Sequence, residues 1–566
     1  MIINQSINSI YHKGGLNPMK QFFILFTLLF FFSIINANAQ VNVTDDITTD
    51  QTWTSDNVYL LDGLIFVDSA ATLTIQAGTV IKGKEQSSIT TGDGASALIV
   101  RRGGKIMANG NADQPIIFTS ELDDINIPDD LTKEDRGLWG GVILLGRATT
   151  NQPTTENQIE GIPNTENARF GGNDDHDNSG TLRYVSIRHG GFSISGVPGD
   201  EINGLTLGAV GDQTIIEHVE VYANFDDGYE WFGGTVNTKW LVAAFCADDG
   251  FDWDMGFRGK HQFWFGIQGT DEAGRGGEHD GGDDCETCEP YTKPIVSNAT
   301  YIGAGENTSP LPGGDGSDLA LIFRDNAGGN YYNSIFTDFP QTGINIEDLA
   351  SGEDSRSRLE NGDLKLENNF WWGFGEGNVL DSIAKQDFVA SYLAGTGNNF
   401  VQDPQLNNIS RDETSSLDPR PNVNGPAATG ANVPVDPFFT QVNYYGAFNP
   451  NGGLWTQGWT ALSMDNITEV KETKANGTPE TFELSQNYPN PFNPSTKIVY
   501  SIPKASNVKI IVTNIIGQQV AELVNEHKDA GQYRVNFDAS NLPSGVYIYT
   551  LEAGSIVSSK KMTLLK

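Results

Sequence analysis

The sequence predicts an all-β protein, a stacked β-solenoid followed by a small antiparallel β-sandwich. Three observations carry that expectation. No long segment of the mature chain keeps a 3.6-residue apolar period, and 64 glycines among 566 residues punctuate it, so its elements are short and its corners many. Between Asn224 and Phe265 the chain says nearly the same thing twice: NFDDGYEWFGGTVNTKWLV is followed by ADDGFDWDMGFRGKHQFWF. Asp226, Asp227, Gly228, Trp231 and Gly234 recur 22 residues later as Asp248, Asp249, Gly250, Trp253 and Gly256. A unit that short cannot bury a core alone and must stack on its own copies. The last 87 residues instead alternate apolar and polar positions strictly, the period of strands with one buried face.

Residues 1–39 read as a secretory signal peptide. Lys20 precedes an apolar run from Phe22 to Ile35, and Ala37-Asn38-Ala39 supplies small residues before Gln40. The run is too short for a membrane span, no Cys follows it for lipid attachment, and Met19 offers an alternative start. No transmembrane anchor is expected later in the chain. Residues 40–479 carry 25 basic against 65 acidic residues, a net charge of −40. Such a surface repels phosphate backbones and anionic lipid, which argues against nucleic-acid partners and favours divalent cations.

From Val41 the chain is written as short strands broken by Gly. ATLTIQAGTVIKG, ALIVRRGGKIMANG, QPIIFTS and LWGGVILLG share that grammar, and LRYVSIRHGG and IEHVEVYANFDDG continue it. The polar insertions Pro153–Asn167 and Ser351–Asp363 and the run Leu311–Asp318 read as surface loops. The aromatic segment Phe438–Leu462 reads as a cap over the last rung. With Ala77-Gly78-Thr79, Gly103-Gly104-Lys105, Pro115-Ile116-Ile117-Phe118 and Trp139-Gly140-Gly141 as its marks, residues 40–464 resemble secreted right-handed parallel β-helix proteins of Bacteroidetes-type bacteria. That resemblance implies a fold and brings no catalytic motif with it.

A linker, 465–479, leads to the final module, 480–566. Val508, Ile510 and Val512 share one strand face, as do Tyr533, Val535 and Phe537 on another. Asn487-Tyr488-Pro489-Asn490-Pro491-Phe492-Asn493-Pro494, then Pro543, Gly545 and Tyr547, then the Lys-bearing end with Lys561 and Lys566, resemble the type A C-terminal sorting domain of type IX secretion cargo. The resemblance implies recognition by the type IX machinery at the outer membrane, with passage through the periplasm to the cell surface or exterior.

Chemistry concentrates in the repeat. Alternation puts Tyr229 and Trp231 on one face with Glu230 on the other, and Phe251, Trp253 and Met255 opposite Asp252 and Asp254. Stacked about 4.8 Å apart, successive coils bring together Asp226 with Asp248, Asp227 with Asp249 and Glu230 with Asp252. Asp226, Asp227, Asp248, Asp249, Asp252 and Asp254 form the candidate calcium set, since calcium accepts six to eight oxygen ligands. Two other readings stay open: Asp before Gly as plain corner chemistry, and a catalytic carboxylate pair, Asp252 with Asp254, of a polysaccharide lyase or glycoside hydrolase. Arg258, Lys260 and His261 are the nearby groups for such an enzyme, and Glu278-His279-Asp280, in a Gly-rich loop, reads as a relay. The cluster Gly171–Gly180 lacks EF-hand spacing and reads as a loop.

Cys285 and Cys288 are expected to close a small disulfide, with Cys246 a buried thiol; a zinc site with His279 is the alternative. Trp231, Trp240, Trp253, Trp264, Trp371 and Trp372 form either an interior stack or a sugar platform. The function expected is a binding or scaffolding module for a glycan or surface protein, against a carbohydrate-active enzyme over 226–261 or an adhesin.

Overall fold

The computed structural model describes residues 39–464 and 482–564, apart from stretches at 126, 128–129, 195–200, 283–284, 310–318, 396, 412–416, 485–486, 488–494, 529–530, 540–541 and 555. Residues 1–38 of the expected signal peptide (1–39), the run Leu311–Asp318 (311–318), the expected linker (465–479) and Lys566 lie outside the described residues.

Three parallel sheets wind around one apolar interior. Sheet I stacks Gln51–Trp53, Thr72–Ile75, Lys105–Asn109, the first halves of Gly180–Arg188, Ile215–Tyr222 and Asn237–Ala244, then Lys260–Gln262, Ile295–Ser297, Gly329–Tyr332 and Leu364–Glu367. Sheet II stacks Ala39–Val43, Asn57–Leu61, Val80–Gly83, Ile116–Ser120, the second halves of the same three long strands, Phe265–Ile267, Thr300–Ile302, Ile335–Phe339 and Phe370–Phe374. Sheet III stacks Leu64–Val67, Ala97–Val100, Val142–Leu145, Leu205–Gly208, Tyr229–Phe232, Phe251–Asp254, Gly277–His279, Leu321–Phe323 and Ile344–Ile346. This is the expected parallel β-helix.

The 22-residue repeat is one coil: Tyr229 lies opposite Phe251 and Trp231 opposite Trp253. Period two then dictates the interior. Tyr229, Trp231, Phe251 and Trp253 are fully buried, with Trp264 between them; ring centroids lie 5.4 Å apart for Tyr229–Phe251 and 4.6 Å for Phe251–Trp264. Each ring removes about 150–250 Å² from water, roughly 4–6 kcal/mol before entropy is charged against it. Trp371 is also buried, so the sugar-platform reading fails for Trp231, Trp253, Trp264 and Trp371. Met255 departs from the predicted row: at φ 53 the strand has ended, and the side chain packs outside sheet III.

Sheets I and II meet at a corner where one residue per coil takes a left-handed backbone: Tyr184, His218, Trp240, Phe263, Asn298, Asn333 and Asn368, with φ between 48 and 62. For bulky residues that conformation costs about 1–2 kcal/mol. Stacking down the corner offsets it, with centroids 4.3 Å apart for Tyr184–His218 and 4.5 Å for His218–Trp240. Asn tolerates the conformation and keeps a polar side chain free for another use.

That use is a strap. Residues expected to cap the last rung run instead along the flank of the helix, back toward its earlier coils. Asn333 pairs with Asn432, Asn298 with Tyr444 and Gln262 with Thr440 through main-chain atoms at 2.8–3.2 Å. Trp459 then packs edge-on against Tyr184, and Ala461 N donates to the buried Glu220 Oε2 at 2.5 Å. The end rung is covered by Leu380–Ile383 and Asp387–Gly395, which add Ile383, Val389 and Leu393 to the interior. The aromatic residues of 438–462 match the aromatic corner rather than the aliphatic end.

Two predicted loops carry structure. Ser355–Asn361 is a helix because Asp354 caps Ser357 N at 2.8 Å and Gly362 supplies the left-handed stop. Ile159, Ile162 and Phe170 from the insertion near 153–170 cover Ile99 and Ile143 on the outer face of sheet III.

The C-terminal module is an antiparallel sandwich. Glu483–Leu484, Ser495–Ile502 and Gly531–Asp538 form one sheet; Gln519–Lys528, Ser506–Asn514, Gly545–Ala553 and Ile556–Leu564 form the other. Val508, Ile510, Val512 and Phe537 lie in the shared core as predicted. Tyr547 donates to Pro543 O at 2.7 Å, fixing the corner before its strand, while Lys561 is exposed opposite Ile548.

Candidate metal centre

The corners between sheets II and III present the acids. Each coil turns there through a left-handed residue, Ala223 and then Phe245, before the Asp-Asp-Gly triplet. The second Asp of each pair ties coil to coil: Asp227 Oδ1 accepts from Asp249 N at 2.8 Å, and Asp249 Oδ1 accepts from Arg275 N. This is the corner chemistry expected of Asp, and it leaves the remaining carboxylate oxygens for other partners.

Two groupings result. Oxygens of Asp226, Asp227 and Asp248 lie within 4.8 Å of one another, and so do oxygens of Asp227, Glu230 and Asp252. Asp227 belongs to both. Glu230 and Asp252 meet because Glu230 stands opposite Asp252 on the outer face of sheet III. Asn203 Nδ2 donates to Glu230 Oε2 and, at 3.2 Å, to Glu160 Oε1. Asp252 Oδ1 is buried and accepts no hydrogen bond among the described residues. Gly274 permits the approach of the next coil, since a Cβ there would lie 2.3 Å from Asp248 Oδ1.

Counter-charge arrives only on the third coil. Gly277–His279 continues sheet III, so Glu278 stands opposite Asp252 and Arg275 occupies the place that Asp249 holds one coil earlier. Arg275 bonds Asp249 Oδ2 at 3.1 Å and Glu278 Oε2 at 2.5 Å; Arg324 bonds Glu278 at 2.5 Å and Asp280 at 2.8 Å. Among the described residues no Lys or Arg nitrogen lies within 4 Å of Asp226, Asp227, Glu230 or Asp252. Burial first, then repulsion among the acids, pushes all four carboxyls well above the usual range. Glu278 is pushed up to about 10 by burial, with the Asp249 charge adding to it.

The other sequence-selected residues lie elsewhere. Asp249 is committed to Arg275, and Asp254, opposite Phe232 at the strand end, belongs to neither grouping; its Oδ1 accepts from Met255 N. Lys260 is ion-paired with Asp436 of the strap at 2.6 Å, and Arg258 with Asp175 at 3.3 Å. His261 is buried among Trp231, Phe257 and Trp264. His279 lies inside the tube, stacked on Trp253 at 3.4 Å with Nε2 2.9 Å from the Tyr331 hydroxyl. Cys285 and Cys288 form a disulfide and Cys246 is a buried free thiol, so the zinc reading has no thiolates. Sequence offers Glu278 only as a member of a Glu278-His279-Asp280 relay, which the inward-facing His279 does not form, and Arg275 is missed because GRGGEHDGG looks like a Gly-rich loop; the match of Gly276-Gly277-Glu278-His279 to Gly250-Phe251-Asp252-Trp253 is the signal for both.

Residues 486–564 match the model of the secretion system C-terminal sorting domain, which directs a chain to the cell surface or exterior through the type IX machinery. No helix among the described residues is long and apolar enough to cross a membrane. A search of curated proteins finds no match. Residues 45–403 match the model described as a pectate-lyase-like β-helix domain, and over this span, more than half its length, the chain belongs to that family.

Proposed function

We propose that this exported β-helix is a non-catalytic binding or scaffolding module for a glycan or surface protein, with calcium at its acidic corner. Asp226, Asp227, Asp248, Glu230 and Asp252 supply the oxygens. The supporting observation is the pair of carboxylate groupings sharing Asp227, with no Lys or Arg nitrogen among the described residues within 4 Å of Asp226, Asp227, Glu230 or Asp252, beside a buried Asp252 oxygen that accepts no hydrogen bond among them. Calcium is the hard, oxygen-seeking cation abundant outside cells, and it offsets like charges held this close. An adhesin has the same architecture and differs only in ligand.

A lyase would need a base beside these carboxylates, and a glycoside hydrolase a carboxylate pair; Asp254, the expected partner of Asp252, belongs to neither grouping. Lys260 and His279, the candidates from sequence, are engaged by Asp436 and by the aromatic interior. The test is incubation of the full-length protein with a polysaccharide panel, with calcium and with chelator. Retention on an immobilised glycan that chelator releases is the expected result. New reducing ends or unsaturated-product absorbance, lost in Asp252→Ala, would replace the binding function with a catalytic one.

A further inference from the structure

At the other ends of the sheet III strands, four arginines converge on a polar cavity of about 280 Å³. Arg101 and Arg102 follow Ala97–Val100; Arg147 lies just beyond Val142–Leu145, one coil on; Arg169 comes from the insertion. The register sets Arg147 over Gly103, where a Cβ would lie 2.6 Å from Arg147 Nη2. A backbone position with φ +84 thus makes room for a guanidinium.

The charges around this cavity run against those of the chain. Arg101 pairs with Asp68, and Arg102 with Glu156 at 2.7 Å and Glu166 at 3.9 Å. Arg147 donates to Arg102 O at 3.3 Å and Arg169 to Asn164 Oδ1 at 3.0 Å; among the described residues neither has a carboxylate within 4 Å. Four guanidiniums gather here beside the carboxylates of Asp68, Glu156 and Glu166, with Asp177 near enough to feel the Arg147 charge, on a protein whose net charge is −37. Arg147 and Arg169, held by neutral oxygens rather than by carboxylates, keep guanidinium donors for an anion.

We propose that this cavity binds a tetrahedral oxyanion, sulfate or phosphate, carried as an ester on a hydroxylated ligand such as a sugar. A planar carboxylate is satisfied by one guanidinium fork, whereas guanidiniums delivered from three separate chain segments match acceptor oxygens spread over a tetrahedron. Ser69, Asn167 and the two glutamates line the same space and suit hydroxyl groups. The volume fits one substituted sugar ring rather than a long chain.

Titration calorimetry on the full-length protein tests this, with inorganic sulfate, inorganic phosphate, galactose 6-sulfate, galactose 6-phosphate and, as planar control, galacturonate. Saturable binding of the esters is expected, and the tighter of the two identifies the source of the anion. Arg147→Ala and Arg169→Ala each weaken that binding roughly tenfold or more, while Arg356→Ala, remote and exposed, leaves it unchanged. Glu156→Gln with Glu166→Gln tightens inorganic sulfate several-fold, a gain that misfolding cannot produce. Three results would overturn the site: no saturable binding of any tetrahedral probe, galacturonate bound as tightly as the esters, or affinities indifferent to Arg147 and Arg169.

Discussion

Chelating calcium from the full-length protein at about pH 8 should lower the melting temperature of the β-helix by about 3 °C. The magnitude follows from linkage. A cation present at about a hundredfold excess over its Kd stabilises the folded state by about 2.7 kcal/mol. Unfolding entropy of about 2.1 cal/mol/K per residue, over roughly 420 residues, makes each kcal/mol worth about 1 °C. The pH dependence is the sharper test. Without the cation, Asp226, Asp227, Glu230 and Asp252 titrate above the ordinary carboxylate range because they are buried and repel one another. The folded chain then binds more protons than the unfolded one above about pH 4, so stability falls as pH rises from there toward the raised values. Oxygens within 4.8 Å repel by about 3.5 kcal/mol per ionised pair at an effective dielectric near 20, and by about 0.9 in bulk water. Calcium must displace the protons, so its stabilisation should be small at about pH 5 and large at about pH 8. Scanning calorimetry in calcium and in chelator at both values measures it. Asp227→Asn with Asp252→Asn should abolish the calcium response and raise the cation-free melting temperature at the higher pH. A calcium shift independent of pH, or a double variant that responds like the parent, would refute the reasoning.

Three further outcomes are expected. Glu220→Ala strips the acceptor from Ala461 N, Leu462 N and the Ser186 hydroxyl, costing roughly 1–3 kcal/mol; faster protease cleavage between 404 and 464 reports it, and unchanged cleavage counts against the strap. The Cys246 thiol, pushed up to about 12 by burial, should resist alkylation at about pH 8 until denaturant is added, because only the thiolate reacts; rapid labelling of the native protein would contradict its burial. Deleting Thr481–Lys566 should hold the protein in the periplasm, and normal surface delivery without that segment would remove the sorting role.

Local periodicity made much of this legible from residues. The 22-residue offset between Asp226 and Asp248 gave the coil length and the register of sheet III, and alternation placed Tyr229, Trp231, Phe251 and Trp253 inside and the acids outside. The strap was not legible, because Ala461 meets Glu220 across 241 residues and no short-range period encodes that contact. Nor was the different fate of equivalent acids. Asp227 and Asp249 occupy the same place in the repeat, but Arg275 on the following coil engages Asp249, while among the described residues no Lys or Arg nitrogen lies within 4 Å of Asp227. His279 shows the converse: a polar residue in a Gly-rich phrase takes the interior place that Trp253 holds one coil earlier.

The strap alters how such a tube comes apart. A simple solenoid frays coil by coil from either end, since each coil leans only on its neighbours. Here residues 432–462 touch the coils of Asn333, Gln262, Asn298 and Glu220, each through a hydrogen bond of the segment's main chain. Peeling the last coils therefore slackens a tether that also holds the middle ones, and the middle ones cannot be tethered until the segment after the last coil has been made. A structure assembled by neighbours is closed like a buckled belt, so its coils should melt together.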